Sequence, residues 1–314
     1  MSTIGIPRAF LYYRHYEMWK IFLTKLGYEL TVSPETNKDI LKAGLSLAID
    51  ESCLASKIFC GHVNWLINHH DVKSDYIFVP RISYLGDKLF TCTKFRTAPD
   101  LIRNIIKTNN YQLLTYNVDT KRGIDEEQAF LTLGEQLNQP AESVKSAYLL
   151  AKAKENELID QHATQQNALL NLPTNKMKIL IVGHDYNVFD AFVGKPIVDF
   201  LQKSDCICIY AEYLNPSETK AQAKQHSPTL RWDDSQRLFG ACIQAKDKVD
   251  GIILVTAFPC GPDSMVNEML FRKIKNIPII QLICDEQEGT AGRETRLESF
   301  IDIIRFKKGV LNNV

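Results

Sequence analysis

Short apolar runs alternate with helix-forming stretches twice along this 314-residue chain, and that alternation narrows its fold more than any other feature. In the first half, Ile4 to Pro7 reads as a strand running into a helix from about Leu11 to Leu26. Gly27 stops that helix and Tyr28 to Val32 is the next strand. Ser33-Pro34 is turn chemistry, Asn37 to Leu45 is a further helical piece, and Leu54 to Ile67 is an apolar-periodic segment with Ser52 as its N-cap. Tyr76 to Pro80, a short apolar run closed by proline, has the signature of a buried parallel strand. The second half repeats the order. Met177 to Val182, Cys206 to Tyr210, Gly251 to Ala257 and Pro278 to Ile283 read as strands. Helices are expected from about Lys195 to Lys203, Gln236 to Ala245, Met265 to Ile274 and at the end of the chain. Between the halves, Asp125 to Asn171 is rich in Ala, Glu, Gln, Leu and Lys with Pro140 as the main interruption, which predicts two consecutive helices. The expected fold class is therefore α/β, with two Rossmann-like parallel-sheet domains joined by long helices. Its divisions are an N-terminal α/β domain over 1–124, a helical linker over 125–172 and a C-terminal α/β domain over 173–314.

Charge excludes several function classes. Lys+Arg and Asp+Glu both total 37, so the net charge is zero and no surplus of basic residues is present to displace counterions from nucleic acid. The same balance removes a general electrostatic attraction to an anionic membrane. No apolar run approaches the ~18 residues of a membrane span, and the opening MSTIGIPRAFLYYRHYEMW lacks the separated basic and apolar regions of a signal peptide. A cytoplasmic protein with neither nucleic-acid nor membrane partner is expected.

In a reducing compartment the eight cysteines do not form a disulfide framework, so each is a small hydrophobe, a metal ligand or a nucleophile. Open α/β sheets carry their chemistry at the carboxyl ends of strands, and Cys53, Cys92 and Cys260 read as loop residues at such ends. Cys53 leads from Asp50-Glu51-Ser52 into a helix, whose N-terminus favours a thiolate. Cys92 follows the Val79-Pro80 strand end, in Leu89-Phe90-Thr91-Cys92. Cys260 stands in Phe258-Pro259-Cys260-Gly261-Pro262-Asp263-Ser264, between a buried strand and a helix, where glycine lets backbone approach a ligand closely. Taken singly, each reads as a core thiol; three in corresponding loops set a shared metal site beside that reading. No CxxC pair is present, so zinc-ribbon and ferredoxin-type spacings are excluded and a site has to be assembled from distant parts of the chain. Cys60 lies about 10.5 Å along a helix from Cys53 and reads as packing. Cys206, Cys208 and Cys242 read as core. Cys284 ends a strand before Asp285-Glu286, directed toward the same cleft or packed.

Several motifs carry a family resemblance. Ile4-Gly5-Ile6-Pro7-Arg8-Ala9, Leu26-Gly27-Tyr28-Glu29, Ser33-Pro34-Glu35-Thr36-Asn37 and Asp50-Glu51-Ser52-Cys53-Leu54-Ala55-Ser56-Lys57 with Gly61-His62-Val63 resemble the DUF2229 domain associated with activators of CoA-substrate enzymes. In the second half, Gly183-His184-Asp185-Tyr186-Asn187, Cys260-Gly261-Pro262-Asp263-Ser264, and Asp285-Glu286 leading into the run from Ala291 to Phe300 are similar to the same wider group. That group resembles the iron–sulfur subunits of 2-hydroxyacyl-CoA dehydratases (the D-component of 2-hydroxyglutaryl-CoA dehydratase), benzoyl-CoA reductases and double-cubane cluster proteins. The chain departs from the pattern at Thr93, where relatives carry proline, at Gln287, where His often follows the acidic pair, and at Cys284, where a non-cysteine residue is expected.

The resemblance implies a 4Fe–4S cluster, or a double-cubane cluster, held by Cys53, Cys92 and Cys260. It also implies a partner ATPase of the actin-like fold, carrying its own iron–sulfur cluster, that donates a low-potential electron for dehydration or reduction of a small substrate. No GxxxxGK[ST] loop occurs in this chain, which reads as the receiving half alone. Lys57, His62, Ser264 and Asp285 are the candidates for catalytic polar or proton-transfer roles, beside an ordinary reading as caps and surface chemistry. Arg8 and Arg296 are candidates for an anionic substrate or for pairing with nearby acids. Two further readings stand beside the dehydratase-like component: a non-catalytic electron-transfer or regulatory subunit, and a structural zinc protein using the same cysteines with His62 or Cys284. A homodimer or a heteromeric partner subunit fits the double-cubane relatives.

Overall fold

The computed structural model describes residues 2–69, 74–86, 89–107, 111–287 and 290–309. They fall into two compact units, Met1–Leu158 with Arg231–Asp233, and Ile159–Leu230 with Asp234–Val314.

The first unit holds β1 (Thr3–Ile6), α1 (Tyr12–Lys25), β2 (Glu29–Val32), α2 (Lys38–Leu47), α3 (Leu54–Asn68), β3 (Tyr76–Phe78), β4 (Arg81–Leu85), β5 (Leu89–Phe90), α4 (Thr93–Ile105), β6 (Gln112–Leu114), β7 (Asn117–Asp119), α5 (Glu126–Gln136) and the first part of α6 (Ala141–Asn171). Its main sheet has the order β2-β1-β3-β6 and is parallel throughout. A second, smaller sheet of order β5-β4-β7 was not expected. Its strands are two to five residues long, too short to show a period, and β4 pairs antiparallel with β5 but parallel with β7.

The second unit holds the rest of α6, then β8 (Lys178–Val182), α7 (Asp185–Val188), α8 (Lys195–Lys203), β9 (Ile207–Tyr210), α9 (Pro216–His226), α10 (Asp233–Ala245), β10 (Gly251–Ala257), α11 (Gly261–Lys273), β11 (Ile279–Cys284) and α12 (Thr290–Lys307). Its sheet runs β11-β10-β8-β9, all parallel. Two α/β sheets flanked by helices are therefore present as the alternation predicts. The helical middle is α5 and α6, and the division between units falls inside α6.

Burial explains the strands. All seven residues of β10 are buried, as a continuous apolar run requires of a central parallel strand. In the first unit Ile4, Ile6 and Phe78 lie on one face of the sheet, where Trp19 of α1 meets Phe78 edge-on at 5.0 Å and Met18, Phe22 and Leu23 of the same helix are buried, while Ile77 is buried on the other face. Each such side chain contributes roughly 1.5–3 kcal/mol by leaving water. The start of α6 is tied into the same unit by polar contacts: Glu155 bonds His15 Nδ1 at 2.6 Å, and Lys152 bridges Glu126 and Glu155 at 2.7 Å each.

Two glycines set the position of α3. A Cβ on Gly44 of α2 would lie 1.9 Å from the carbonyl oxygen of Lys57, and one on Gly61 of α3 would lie 2.0 Å from that of Ile40. Backbone meets backbone at both points, so only glycine permits this crossing. Asn37 starts α2 by accepting hydrogen bonds from the amides of Asp39 and Ile40, at 3.0 Å each.

Candidate functional site

Cys53, Cys92 and Cys260 share one local setting: each is the N-cap of a helix, of α3, α4 and α11 respectively. Each is partly exposed, and none is disulfide-bonded. This corrects the expected placement. Only Cys260 directly follows a strand of a parallel sheet; Cys53 follows α2, and Cys92 follows the edge strand β5 of the small sheet. What the three have in common is the helix start, where unsatisfied amides and the helix dipole favour negative charge.

The other cysteines differ. Cys60, Cys206, Cys242 and Cys284 are buried, and Cys208, though partly exposed, lies within β9 rather than at a helix start. Burial pushes the Cys60 and Cys208 thiols up to about 12 and Cys206 up to about 11, and it raises Cys242 as well, so these groups stay neutral. Cys284 is 1% exposed at the end of β11, where its carbonyl accepts from the amide of Phe258 at 2.8 Å.

In the first unit, Phe10 brings the two cysteine-bearing helices together. It follows β1 with φ of +51°, a left-handed conformation that costs a bulky residue energy. Its ring stacks on Phe59 of α3 at 4.7 Å and meets Phe95 of α4 edge-on at 5.2 Å. The helix starts are also linked, since Lys94 Nζ donates to Ser52 Oγ at 3.4 Å. No acidic residue stands in the first turn of α3 or of α4, so Lys94 adds positive charge beside both caps.

Lys57 is buried on α3 at 4% exposure, and its backbone carbonyl forms part of the contact with α2. His62, on the same helix, is fully buried between two hydroxyls. Its Nδ1 lies 2.8 Å from Ser33 Oγ and its Nε2 2.9 Å from Thr36 Oγ1. Ser33 Oγ also accepts from the amide of Arg8 at 2.8 Å, so one hydroxyl joins the histidine to the turn after β1. Burial, helped by the charge of Arg8, holds the imidazole pKa down at about 3. His62 thus fastens the Ser33-to-Thr36 loop at the carboxyl end of β2. Arg8 completes that loop through Nε to the carbonyl of Ser33 at 3.2 Å and an ion pair to Glu35 at 4.0 Å.

In the second unit the crevice between β8 and β10 is the topological switch point, since the chain moves from β8 to β9 on one side and returns through β10 on the other. His184 follows β8, and Cys260 and Asp263 follow β10. His184 Nε2 and Asp263 Oδ1 are 2.9 Å apart and both residues are 6% exposed. Burial alone would lower the histidine pKa, but the charge and hydrogen bond of Asp263, with Asp234 and Glu212 behind it, raise it to about 9. His184 is therefore cationic at neutral pH. The ring of Tyr186 stacks on it at 5.0 Å and 9°. Arg237 pairs with Glu212 and, at 3.7 Å, with Asp234. His184 Nδ1 and Asp263 Oδ2 are buried with no hydrogen-bond partner among the described residues.

Ser264 donates its hydroxyl to the carbonyl of Cys260 at 2.8 Å, one turn into α11, and is itself exposed. Asp285 accepts from the amide of Gln287 at 2.9 Å, a local turn beyond β11. Arg296 on α12 donates to the carbonyl of Gln281 at 2.5 Å. The His184–Asp263 pair was not singled out from the sequence. The two residues are 79 apart, and the available signal was that both stand in quoted motifs at strand ends.

Among the described residues, no group of three or more His, Cys, Asp or Glu side chains is placed to hold a metal ion. No described helix is long and apolar enough to cross a membrane.

No curated protein matches the sequence. Solved structures that align with the chain include an FpvC mutant from Pseudomonas aeruginosa, at 13% identity over 96% of this chain and 98% of that one, with a TM-score of 0.27. The SBP FpvC from the same organism in complex with Mn2+ aligns at 12% identity over 97% of each chain, with a TM-score of 0.27. The allantoin racemase of Pseudomonas fluorescens aligns at 10% identity over 96% and 92%, with a TM-score of 0.20. A family model matches residues 3–214, and the chain belongs to that family, DUF2229, described as the CoA enzyme activase uncharacterised domain.

Proposed function

We propose that this chain is an iron–sulfur component of the 2-hydroxyacyl-CoA dehydratase type, with Cys53, Cys92 and Cys260 as cluster ligands. Its electron donor would be an actin-like-fold ATPase carrying its own cluster. The observation that carries the reading is the shared setting of these three thiols: each caps a helix and is partly exposed, whereas Cys60, Cys206, Cys242 and Cys284 are buried and Cys208, also partly exposed, lies within β9. Membership of a family described by CoA enzyme activation supports the same reading. The donor set fits the group chemically, because thiolates are the usual cluster ligands and helix N-termini offset their charge.

A 4Fe–4S cluster bound by three thiolates supplies a low-potential one-electron carrier with one iron open to a further ligand. The chain's own residues prepare its surroundings. Lys94 and the first turns of α3 and α4 favour negative charge at Cys53 and Cys92. Asp263, three residues along from Cys260, and His184 hold a proton at Nε2 and are both buried. A proton kept in the same strand-end loops as Cys260 suits a reaction that pairs electron arrival with protonation of a leaving group.

Metal analysis after anaerobic purification tests the reading. Wild type should contain about four irons and four sulfides per chain. Iron should be lost from Cys53→Ala, Cys92→Ala and Cys260→Ala, and retained in Cys208→Ala. Zinc without sulfide would replace this account with a structural metal site.

A further inference from the structure

The first unit carries a cleft of about 670 Å3 against its small sheet, with Arg81, Tyr84, Thr93, Arg96, Lys121 and Arg122 in its wall. The one carboxylate among its lining residues is Asp119. Two of the four cations are already matched, Arg81 by Asp100 at 2.8 Å and Arg122 by Asp119 at 3.6 Å. Arg96 and Lys121 have no carboxylate partner among the described residues. Both are gathered around one ring. The Arg96 guanidinium lies 4.8 Å from the centre of Tyr84 and donates to an adjacent hydroxyl, that of Tyr84 itself, at 3.2 Å, and the Lys121 ammonium lies 5.3 Å from the same ring. Both cations sit against one ring without a carboxylate of their own, so an anion placed beside that ring is attracted to each of them.

The first turn of α4 lines the same cleft through Thr93, with Thr97 one turn further on, so unsatisfied helix amides add to its positive potential. Asp119 Oδ1 is buried there with no hydrogen-bond partner, an acceptor that suits a hydroxyl group. The volume is that of a small-molecule site rather than of a bare ion.

We propose that this cleft binds a phosphate monoester of a polyhydroxy compound, the phosphate lying on Arg96 and Lys121. A phosphate monoester carries between about −1.5 and −2 charges at neutral pH, enough to answer both unmatched cations, and its oxygens suit the forked guanidinium. A single carboxylate answers only one.

The test is calorimetric titration of the full chain with ribose 5-phosphate, with ribose and succinate as comparators. It reads binding whatever metal the chain contains, so its failure is separate from failure of the cluster reading. The proposal expects saturable binding of the sugar phosphate, weaker by about tenfold in Lys121→Gln and in Arg96→Gln and unchanged in Lys176→Gln. Added salt should weaken it further. Lys121 is exposed, so its replacement leaves folding intact and keeps the test decisive. Absence of saturable binding, equal affinity in Lys121→Gln, or equal affinity for succinate would overturn the proposal.

Discussion

Each unit buries a histidine that follows a glycine, and the two are set in opposite charge states. His62 is enclosed by the hydroxyls of Ser33 and Thr36 and stays neutral. His184 faces the carboxylate of Asp263 and stays cationic. Depth is nearly equal, since both are at least nine-tenths buried, so the partner rather than burial decides the charge. Hydroxyl partners make a fastening with no titration near neutrality, whereas a carboxylate partner makes a proton store. The fastening lies in the β2 loop of the first unit, and the proton store lies beside Cys260 in the second.

The largest expected effect is on acid stability of the first unit. His62 has a folded pKa of about 3 against an ordinary value near 6.5. Below pH 6.5 the unfolded chain therefore takes up a proton that the folded chain refuses. Stability is full above 6.5 and falls as pH drops toward 3, by up to about 5 kcal/mol. Glu155, lowered to about 2 by His15 and Lys152 against its own burial, adds to the acid loss only below its ordinary value. Urea midpoints at pH 7 and pH 5 should differ in wild type and converge in His62→Gln. Equal wild-type midpoints would mean that His62 accepts its proton in the folded state.

The second effect has the opposite sign. The folded pKa of His184 is raised to about 9, so its contribution is complete below pH 6.5 and is lost as pH rises through 9. The loss is on the order of 3 kcal/mol. Asp263→Asn should abolish this alkaline loss and destabilise the protein at pH 7 by a similar amount, because burial then leaves His184 neutral and the stabilising charge pair is gone. An alkaline loss that persists in Asp263→Asn would break the contrast between the two histidines. The smallest effect is expected from Tyr186→Leu. It removes a ring stacked on the imidazolium, worth about 0.5–1 kcal/mol, and should move the alkaline transition down by about half a pH unit.

Much of the architecture was legible because long apolar runs report directly on buried strands. Gly251 to Ala257 was read residue for residue as β10, and Lys195 to Lys203 as α8. The β5-β4-β7 sheet was not, since strands of two to five residues carry too little period to be read. Cys60 and Cys242 were readable as core from helical spacing, and both are fully buried. The helix starts at Cys53 and Cys260 were legible, but not the caps themselves: the first was assigned to Ser52, one residue before Cys53, and the helix after Cys260 was expected only from about Met265. At Cys92 the helix begins with Thr-Lys-Phe and contains Pro99, which disguises it. Phe10, Gly44 with Gly61, and His184 with Asp263 act through contacts across the fold, and nothing local in the sequence pairs them.

The central claim is that the three helix-capping thiols, and not the other five cysteines, ligate one reducible cluster. Its most direct test is electron paramagnetic resonance of the anaerobically reconstituted, dithionite-reduced protein, with spins counted per chain. The account predicts a reduced iron–sulfur signal in wild type and in Cys208→Ala that disappears in each of Cys53→Ala, Cys92→Ala and Cys260→Ala. A wild type without such a signal, or a signal that survives loss of any one of the three, would contradict it.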